Sequence, residues 1–223
     1  MFELVASDVA GTTVDERGHV YRMLRQAVTD RGATVSEDVF ANWMGTEKRT
    51  AITNLLELGG VDADEQMIDE AYRWFTENLK QAYRDEPPMP FPGVPEAIAA
   101  LRSAGVKVVL TTGFSTDIAE TVIEAAGWKV GRDLDGLVPA DTVAAGRPAP
   151  YLIHHAMEAM RVTDVRKVAA VGDTLADIRA ARNAGVLAVG VLTGEVGREA
   201  LAAEQPDFLI DSVADLPTVL QQG

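Results

Sequence analysis

The chain has 223 residues, of which 47% are hydrophobic and 24% charged, a balance ordinary for a globular protein with one core domain and a modest second one. The formal net charge of −14 argues against nucleic-acid binding, and the absence of cysteine excludes disulfide and thiolate chemistry. No apolar run approaches the roughly 20 residues of a membrane-spanning helix, and the N-terminus is too acidic for a signal peptide. We expect a cytoplasmic protein that binds neither nucleic acid nor a membrane.

An acidic residue stands at the end of the first predicted element. The apolar run Phe2 to Ala6 predicts a buried strand, and Gly11-Thr12-Thr13 predict a turn after it. Asp8 therefore lies at the strand end, which in an open α/β sheet is the edge that carries ligand sites. A carboxylate there could bind a cation or attack an electrophile. The alternative is an aspartate that only caps the turn.

The next part of the chain is predicted to be helical throughout. Apolar residues recur there at helical spacing, and no strand pattern interrupts them. The predicted helices end near Gly32, cover about Ser36 to Trp43 with Ser36 as N-cap, continue from a Thr46 N-cap through Leu56, and run from about Ala63 to Tyr83. We interpret residues 16–87 as an inserted α-helical cap over the Asp8 edge.

Strands and helices alternate after Pro87 to Gly93, a proline-rich stretch that we interpret as a stiff connector. Predicted helices cover residues 94–104, 116–126, 149–160 and 175–184, and predicted strands cover residues 106–111, 137–138, 168–171, 187–192 and 208–210. A last helix is expected after them. This alternation predicts an α/β fold with a doubly wound parallel sheet, in which residues 1–15 and 88–223 form the core domain.

Three later stretches also place polar side chains near predicted strand ends or between strands. They are Thr111-Thr112-Gly113, Ala145-Gly146-Arg147-Pro148 and Gly172-Asp173-Thr174-Leu175-Ala176-Asp177. Together with the Asp8 stretch, and in this order, they resemble the four motifs of the haloacid dehalogenase superfamily. The resemblance covers nearly the whole chain. It implies a Rossmann-like core, an aspartate nucleophile that attacks phosphorus, and a Mg²⁺ cofactor.

The resemblance also implies a role for each motif residue. It implies that Mg²⁺ is held by Asp8, Asp173 and the Ala10 backbone carbonyl with support from Asp177, and that the phosphoryl group is held by Gly11, Thr112, Gly113 and Arg147. The residues themselves leave structural alternatives open. Thr112 could be an ordinary strand residue, Arg147 a solvated surface residue, and Asp177 a first-turn residue that complements the helix macrodipole.

The second residue after Asp8 distinguishes families within the superfamily. Phosphatases and mutases typically carry a second aspartate there, which protonates the leaving oxygen, whereas this chain has Ala10. The runs Asp-x-Ala-Gly-Thr-Thr-x-Asp and Gly-Arg-Pro-x-Pro resemble the phosphonoacetaldehyde hydrolase (phosphonatase) family. That family cleaves a phosphorus–carbon bond and uses a cap lysine that forms a Schiff base with the substrate aldehyde.

A candidate for this lysine is Lys48 in Met44-Gly45-x-x-Lys48, which matches the cap motif of that family. A lysine that attacks as a free amine needs a lowered pKa, which burial or neighbouring cations can provide. The alternative is that Lys48 is one more solvated helix lysine.

One position departs from the family pattern. The family typically has a histidine three residues after the lysine, where this chain has Ala51, and no motif places His19, His154 or His155 in the site. The predicted substrate is therefore phosphonoacetaldehyde or a related small organophosphorus compound, and a homodimer is a possible assembly. Two alternative interpretations stay open: a phosphate-ester hydrolase of the same fold, and a non-catalytic binding or regulatory protein.

Overall fold

A computed structural model describes residues 1–221, and within them the chain forms eight strands and ten α-helices. The strands are β1 (Leu4–Asp8), β2 (Val14–Asp15), β3 (Met89–Pro90), β4 (Lys107–Thr111), β5 (Gly136–Val138), β6 (Val168–Gly172), β7 (Leu187–Val191) and β8 (Phe208–Ile210). The helices are α1 (His19–Thr29), α2 (Glu37–Ala41), α3 (Lys48–Leu58), α4 (Glu65–Asp85), α5 (Val94–Ser103), α6 (Thr116–Ala125), α7 (Tyr151–Met160), α8 (Leu175–Ala184), α9 (Arg198–Ala203) and α10 (Leu216–Leu220). None of the helices in this part of the chain has the length and apolar character needed to span a bilayer.

Among the described residues, six strands form one sheet in the order β5-β4-β1-β6-β7-β8, and every neighbouring pair is parallel. Strand β1 pairs with β4 on one side and with β6 on the other, so the chain winds outward from β1 in both directions. The doubly wound parallel α/β sheet predicted from the sequence is confirmed. In such sheets, ligands bind beyond the carboxyl ends of the strands where the strand order reverses, which here is beside β1.

Burial and register explain the bounds of the central strands. All five residues of β1 and all five of β6 are buried, as expected for parallel strands covered by helices on both faces. Leu4 lies opposite Lys107, and Asp8 lies opposite Thr111. The first strand therefore covers Leu4–Asp8 instead of the predicted Phe2 to Ala6, and Asp8 is its last residue.

Helices α1 to α4, which we call the helical segment, lie between β2 and β3 in the chain. The long helix α4 packs against α1 and α3. Its buried residues are Ile68, Ala71, Phe75, Leu79 and Tyr83. Met67 and Trp74, which directly precede Ile68 and Phe75 in the chain, are only partly buried. The division into a core of residues 1–15 and 88–223 and a cap of residues 16–87 stays a prediction, and residues 222 and 223 lie outside the described residues.

The N-cap of α3 differs from the prediction. Glu47, and not Thr46, caps this helix, because the Glu47 carboxylate accepts hydrogen bonds from the N–H groups of Arg49 and Thr50. The Thr46 hydroxyl instead donates to the Trp43 carbonyl at 2.7 Å. Thr46 and Glu47 are adjacent in the chain. The residue at which the helix begins therefore decides which of the two side chains reaches the free N–H groups of the first turn.

The proline-rich stretch is more than a connector. Met89 and Pro90 form β3, which pairs with β2 in antiparallel register, with Val14 opposite Pro90 and Asp15 opposite Met89. A two-residue edge strand tolerates a proline, which has no N–H to donate. The chain leaves the sheet for the helical segment through β2 and returns through β3, so this short pair of strands holds the two connections side by side.

A buried carboxyl group lies beside these passages. Glu16 follows β2, and its carboxylate accepts a hydrogen bond from the Val20 N–H in the first turn of α1 at 2.8 Å. Burial, with smaller contributions from the charges of Asp15 and Glu195, raises the pKa of Glu16 to about 7. The folded protein therefore favours the protonated form of Glu16 up to neutral pH.

Glu16→Gln is expected to remove a pH dependence of folding stability. The folded protein holds this proton up to about pH 7, whereas the unfolded chain releases it near 4.5. The folded state thus binds more protons within this window, and the free energy of unfolding falls by roughly 3 kcal/mol as the pH rises through it. Urea unfolding of both proteins across the window measures the difference between them. Parallel pH profiles would contradict a buried, protonated Glu16.

Candidate active site

Three aspartates and an arginine meet at the carboxyl end of the central strands. Asp8 ends β1, Asp173 directly follows β6, and Asp177 lies in the first turn of α8. One carboxylate oxygen of each lies within 4.8 Å of those of the other two. Arg147, from the loop before α7, is 6% exposed and forms ion pairs with two of them. The structure thus brings together residues that the sequence analysis took from separate stretches.

Arg147 connects the sheet edge to the helical segment. Its Nη2 contacts Asp8 Oδ1 at 2.6 Å and donates to the Thr111 carbonyl at 2.9 Å. Its Nη1 contacts Asp177 Oδ1 at 2.7 Å and donates to the Gly45 carbonyl, which belongs to the helical segment, at 3.3 Å. Arg147 is therefore a buried, ion-paired cation and not the solvated surface residue that was its alternative interpretation.

Asp177 lies in the first turn of α8, as in its structural interpretation, and one of its oxygens also lies near Asp8 and Asp173. Its Oδ2 accepts hydrogen bonds from the N–H and the hydroxyl of Thr174, so Asp177 and Thr174 form a capping box at the start of α8. Its Oδ1 is the partner of Arg147. The cap holds the carboxylate in place through Oδ2, and Oδ1 faces the site.

Asp173 has the surroundings of a metal ligand. It is fully buried, and its Oδ1 accepts a hydrogen bond from the Thr12 hydroxyl at 2.6 Å. Among the described residues, its Oδ2 has no hydrogen-bond partner. Two glycines make room for this carboxylate, since a Cβ on Gly11 would lie 2.6 Å from Oδ2 and a Cβ on Gly194 would collide with it. A buried, unpartnered carboxylate oxygen beside two further carboxylates fits a hard divalent cation.

The electrostatics of the aspartates also favour a cation. Burial raises the pKa of Asp8 to about 6, although the Arg147 charge opposes the shift. Burial, together with the charges of Asp8 and Asp177, raises the pKa of Asp173 well above its ordinary value. A divalent cation would offset this repulsion and let the carboxylates stay ionised at neutral pH.

The residues predicted to hold a phosphoryl group differ in what they offer. Thr112 is buried, and its hydroxyl oxygen accepts a hydrogen bond from the Phe114 N–H at 3.2 Å, so the hydroxyl proton can still be donated. Gly113 lies beside it on the same loop. The Gly11 N–H was expected to bind a phosphoryl oxygen, but it donates to the Val14 carbonyl at 2.9 Å. The tight turn uses that N–H, and Gly11 serves there through its positive φ of 83°.

Lys48 is buried at the first position of α3. It is 4% exposed, its amine donates to the Thr46 carbonyl at 2.7 Å, and the same nitrogen lies 5.5 Å from the centre of the Phe114 ring. Burial, opposed by the Asp8 charge, lowers the pKa of Lys48 to about 8. Lys48 is therefore not a solvated helix lysine, and a usable fraction of its amine is neutral near physiological pH.

Glycines let the helical segment approach the sheet edge closely. A Cβ on Gly113 would lie 2.5 Å from the Thr46 carbonyl oxygen, and a Cβ on Gly146 would lie 3.1 Å from the Glu47 Cβ. A Cβ on Gly45 would collide with the hydroxyl at the N-cap of α8. The loop that leads into α3 and Lys48 thus packs directly on the loops that carry the other site residues.

The histidines and Ala51 lie outside this cluster of charges. His19 contacts Glu86 at 3.1 Å beside the passages to the sheet, and His154 and His155 are exposed on α7. Ala51 is fully buried one turn after Lys48 and provides no group that can carry a proton.

Sequence reasoning missed two hydroxyl residues of the site. Thr12 donates to Asp173 at 2.6 Å, and the Thr111 hydroxyl accepts from Arg147 at 3.2 Å. Thr12 follows Gly11 and Thr111 precedes Thr112, and both neighbours were predicted site residues. A hydroxyl residue next to a predicted site residue was therefore the signal that could have indicated them. Neither contact follows from spacing alone, because the partners lie 161 and 36 residues away in the chain.

Comparison with known proteins identifies the family. A family model of haloacid dehalogenase-like hydrolases matches residues 2–185. The chain belongs to this family of hydrolases. A phosphonoacetaldehyde hydrolase from Parabacteroides distasonis is 31% identical to this hydrolase, over 98% of the chain and 95% of the relative. The resemblance to the phosphonatase-like branch is thereby confirmed.

Solved structures share the fold of this hydrolase. A hydrolase from Pseudomonas syringae has a TM-score of 0.87 and 17% identity, covering 100% of this chain and 99% of its own. A phosphonoacetaldehyde hydrolase like protein from Oleispira antarctica has a TM-score of 0.83 and 24% identity, covering 99% of this chain and 92% of its own. These likenesses establish the Rossmann-like α/β fold of the family.

Proposed function

We propose that this hydrolase cleaves the phosphorus–carbon bond of phosphonoacetaldehyde, or of a related small organophosphonate that bears an aldehyde, in a Mg²⁺-dependent reaction. Asp8 is the nucleophile, and Lys48 is the amine that forms a Schiff base. The observation that carries the proposal is the burial of Lys48, with its lowered pKa, against the edge that holds Asp8. The relative named phosphonoacetaldehyde hydrolase supports the choice of substrate class.

Lys48 supplies the means for the carbon to leave. With a pKa of about 8, roughly a tenth of its amine is neutral at pH 7, against about one part in 3,000 at the ordinary value. The neutral amine adds to the substrate aldehyde, and loss of water gives a protonated imine. This iminium can accept the electron pair of the phosphorus–carbon bond, which a bare carbon leaving group could not stabilise.

Asp8 takes the phosphoryl group. When its carboxylate attacks phosphorus, the phosphorus–carbon bond breaks, its electron pair moves into the iminium, and an enamine leaves. Protonation and hydrolysis of the enamine release the aldehyde product and the free Lys48 amine. Water then hydrolyses the aspartyl phosphate, which releases phosphate and restores Asp8.

Arg147 and Thr112 orient the phosphonate. The guanidinium lies 2.6 Å from the Asp8 carboxylate, so its positive charge is fixed beside the atom that attacks. The Thr112 hydroxyl can donate to a phosphoryl oxygen at the neighbouring strand end. Because Asp8 and Lys48 are only 5% and 4% exposed, the substrate enters when the helical segment moves away from the sheet edge. Closure then excludes water from the reaction.

Asp8, Asp173 and the Ala10 backbone carbonyl would hold Mg²⁺, and Asp177 would support the site through the groups it orients. The bound cation would supply positive charge opposite the phosphoryl oxygens. The unpartnered Oδ2 of the buried Asp173 supports this assignment.

Asp173→Asn is expected to separate metal binding from folding. The substitution removes the buried carboxyl group that Asp8 and Asp177 repel when it is ionised, so without metal the variant should be at least as stable as wild type. Mg²⁺ should raise the melting temperature of the wild type, since it binds only the folded state, and should have little effect on the variant. Thermal unfolding with and without MgCl₂ measures both effects. A variant that keeps the full Mg²⁺-induced shift would show that Asp173 is not a ligand.

A phosphate-ester hydrolase is the second candidate function. It is favoured by Ala51, because imine formation moves protons and this position next to Lys48 carries no group for that task. Ala10 argues against it, because an alanine cannot protonate the leaving oxygen of an ester. The enamine of the first candidate has no such leaving oxygen.

Phosphate release from three matched compounds tests the proposal. Phosphonoacetaldehyde carries both required groups, ethylphosphonate lacks the aldehyde, and glycolaldehyde phosphate replaces the phosphorus–carbon bond with an ester. We expect rapid release from the first alone. Comparable release from ethylphosphonate would contradict the imine. Faster release from the ester would make the enzyme a phosphatase.

A further inference from the structure

We propose that Glu47 is a positioning residue for the reaction, because it sets the location of Lys48 relative to the loop that carries Arg147. This inference rests on the proposed role of Lys48. It concerns the residue that directly precedes the site lysine and caps the helix that the lysine begins.

Glu47 holds the first turn of α3 with both of its carboxylate oxygens. Oε1 accepts a hydrogen bond from the Arg49 N–H at 2.7 Å. Oε2 accepts from the N–H and from the hydroxyl of Thr50, each at 2.7 Å. Glutamate is not among the residues usually preferred at an N-cap, which are Ser, Thr, Asp and Asn. The longer side chain here reaches two N–H groups at once, which a serine could not do.

Lys48 is the residue that this clamp fixes most directly. It occupies the first position of α3, immediately after Glu47, and its amine turns back to the Thr46 carbonyl. The first N–H groups of a helix have no partners within the helix, so an uncapped first turn frays readily. Fraying of α3 would therefore displace Lys48 before any other part of the helix.

The same residue contacts the sheet side of the site. The Glu47 Cβ lies against Gly146 so closely that a Cβ on that glycine would be 3.1 Å away. Gly146 directly precedes Arg147, the cation that pairs with Asp8. One side chain thus packs against the loop of one site cation and caps the helix of the other.

The first turn of α3 is also held by α4. The Arg49 guanidinium contacts Glu65 at 2.7 Å and Asp69 at 2.8 Å, both on α4. When Glu47 keeps its cap, α4, the first turn of α3 and the Arg147 loop form one continuous set of contacts. Loss of the cap leaves Lys48 as the unsupported member of that set.

Chemical labelling of Lys48 tests this inference without relying on turnover. Formaldehyde with cyanoborohydride methylates accessible neutral amines, and peptide mass spectrometry measures the rate at Lys48. We expect slow labelling in the wild type and labelling at least about five-fold faster in Glu47→Ala. Glu47→Asp, which keeps a capping carboxylate, should lie closer to the wild type. The matched control is Ser36→Ala, which removes the N-cap of α2 in the same helical segment, where the Ser36 hydroxyl accepts from the Val39 N–H at 3.4 Å.

The kinetic readout should follow the labelling. For phosphonoacetaldehyde we expect Glu47→Ala to lower kcat about ten-fold or more with little change in KM, and Ser36→Ala to leave both near wild type. If Glu47→Ala does not fold, Glu47→Gln keeps the length and one acceptor oxygen, and intermediate labelling is expected. Wild-type labelling in a folded Glu47→Ala, or in Glu47→Gln where Glu47→Ala does not fold, overturns the inference, and so does equal acceleration in Ser36→Ala. An enzyme that cleaves no phosphonate would overturn the proposed function, whereas the labelling would still decide the role of Glu47.

Discussion

Asp8→Asn is expected to lose phosphonate cleavage by at least about 10³-fold, which corresponds to about 4 kcal/mol of activation free energy. An amide keeps the shape of the side chain but is a poor nucleophile toward phosphorus. The fold should persist, because burial already disfavours the charged form of the Asp8 carboxyl, whose pKa is raised to about 6, and the amide carries no charge. Arg147 also keeps its other partner, Asp177, at 2.7 Å. Phosphate release and thermal unfolding, measured on the same preparation, test both parts.

Asp15→Asn is the matched control for this experiment. It makes the same chemical change in the same segment of chain, at an exposed residue of β2 that is not part of the acidic cluster. Near-wild-type activity is expected from it. If a folded Asp8→Asn protein retained most of its activity while the control behaved as expected, Asp8 could not be the nucleophile.

Lys48→Arg is expected to abolish cleavage of phosphonoacetaldehyde almost completely. Arginine keeps the positive charge and can bind a phosphonate, but guanidinium is effectively always protonated and forms no imine. If Lys48 only attracted the substrate through its charge, the exchange would lower kcat/KM only partly, by about 10- to 100-fold. This loss corresponds to roughly 1.4–2.7 kcal/mol of activation free energy. The size of the loss in kcat/KM therefore distinguishes the covalent role from the electrostatic one.

Arg49→Lys is the control for this charge-conserving exchange. Arg49 is adjacent to Lys48, but its guanidinium points to Glu65 and Asp69 on α4 and is 39% exposed as a side chain. The exchange there should leave kcat/KM near wild type. An equal loss in both variants would mean that the first turn of α3 had been disturbed, and that Lys48→Arg does not report on the imine.

Local sequence signals predicted much of the fold. The α8 bounds, residues 175–184, were predicted correctly because Thr174 and Asp177 form a capping box before an apolar helix and Gly185 follows it. The strands followed from short apolar runs. Errors arose where local rules compete. Pro148 and Pro150 delay α7 to Tyr151, two residues after the predicted start, because prolines disfavour helix at the residues before them.

The details of the site depend on docking that no local rule describes. Gly45 and Gly146 carried no role in the sequence analysis, yet both are needed for the helical segment to reach the sheet edge. The Gly11 N–H was assigned to a ligand, but a turn within five residues uses it. Glu47 instead of Thr46 is the N-cap because α3 begins one residue later than predicted. Sequence order predicted which residues share the site, and tertiary packing determines how each of them is oriented.

Borohydride reduction in the presence of phosphonoacetaldehyde is the measurement that tests the central claim most directly. In Asp8→Asn the imine can form but the phosphorus–carbon bond cannot break, so reduction should leave a phosphonoethyl group on Lys48. In the wild type the bond breaks first, so reduction should leave an ethyl group on the same nitrogen. Peptide mass spectrometry distinguishes the two products. Absence of any adduct on Lys48 in both proteins, while the wild type releases phosphate from the same compound, would contradict the Schiff-base account.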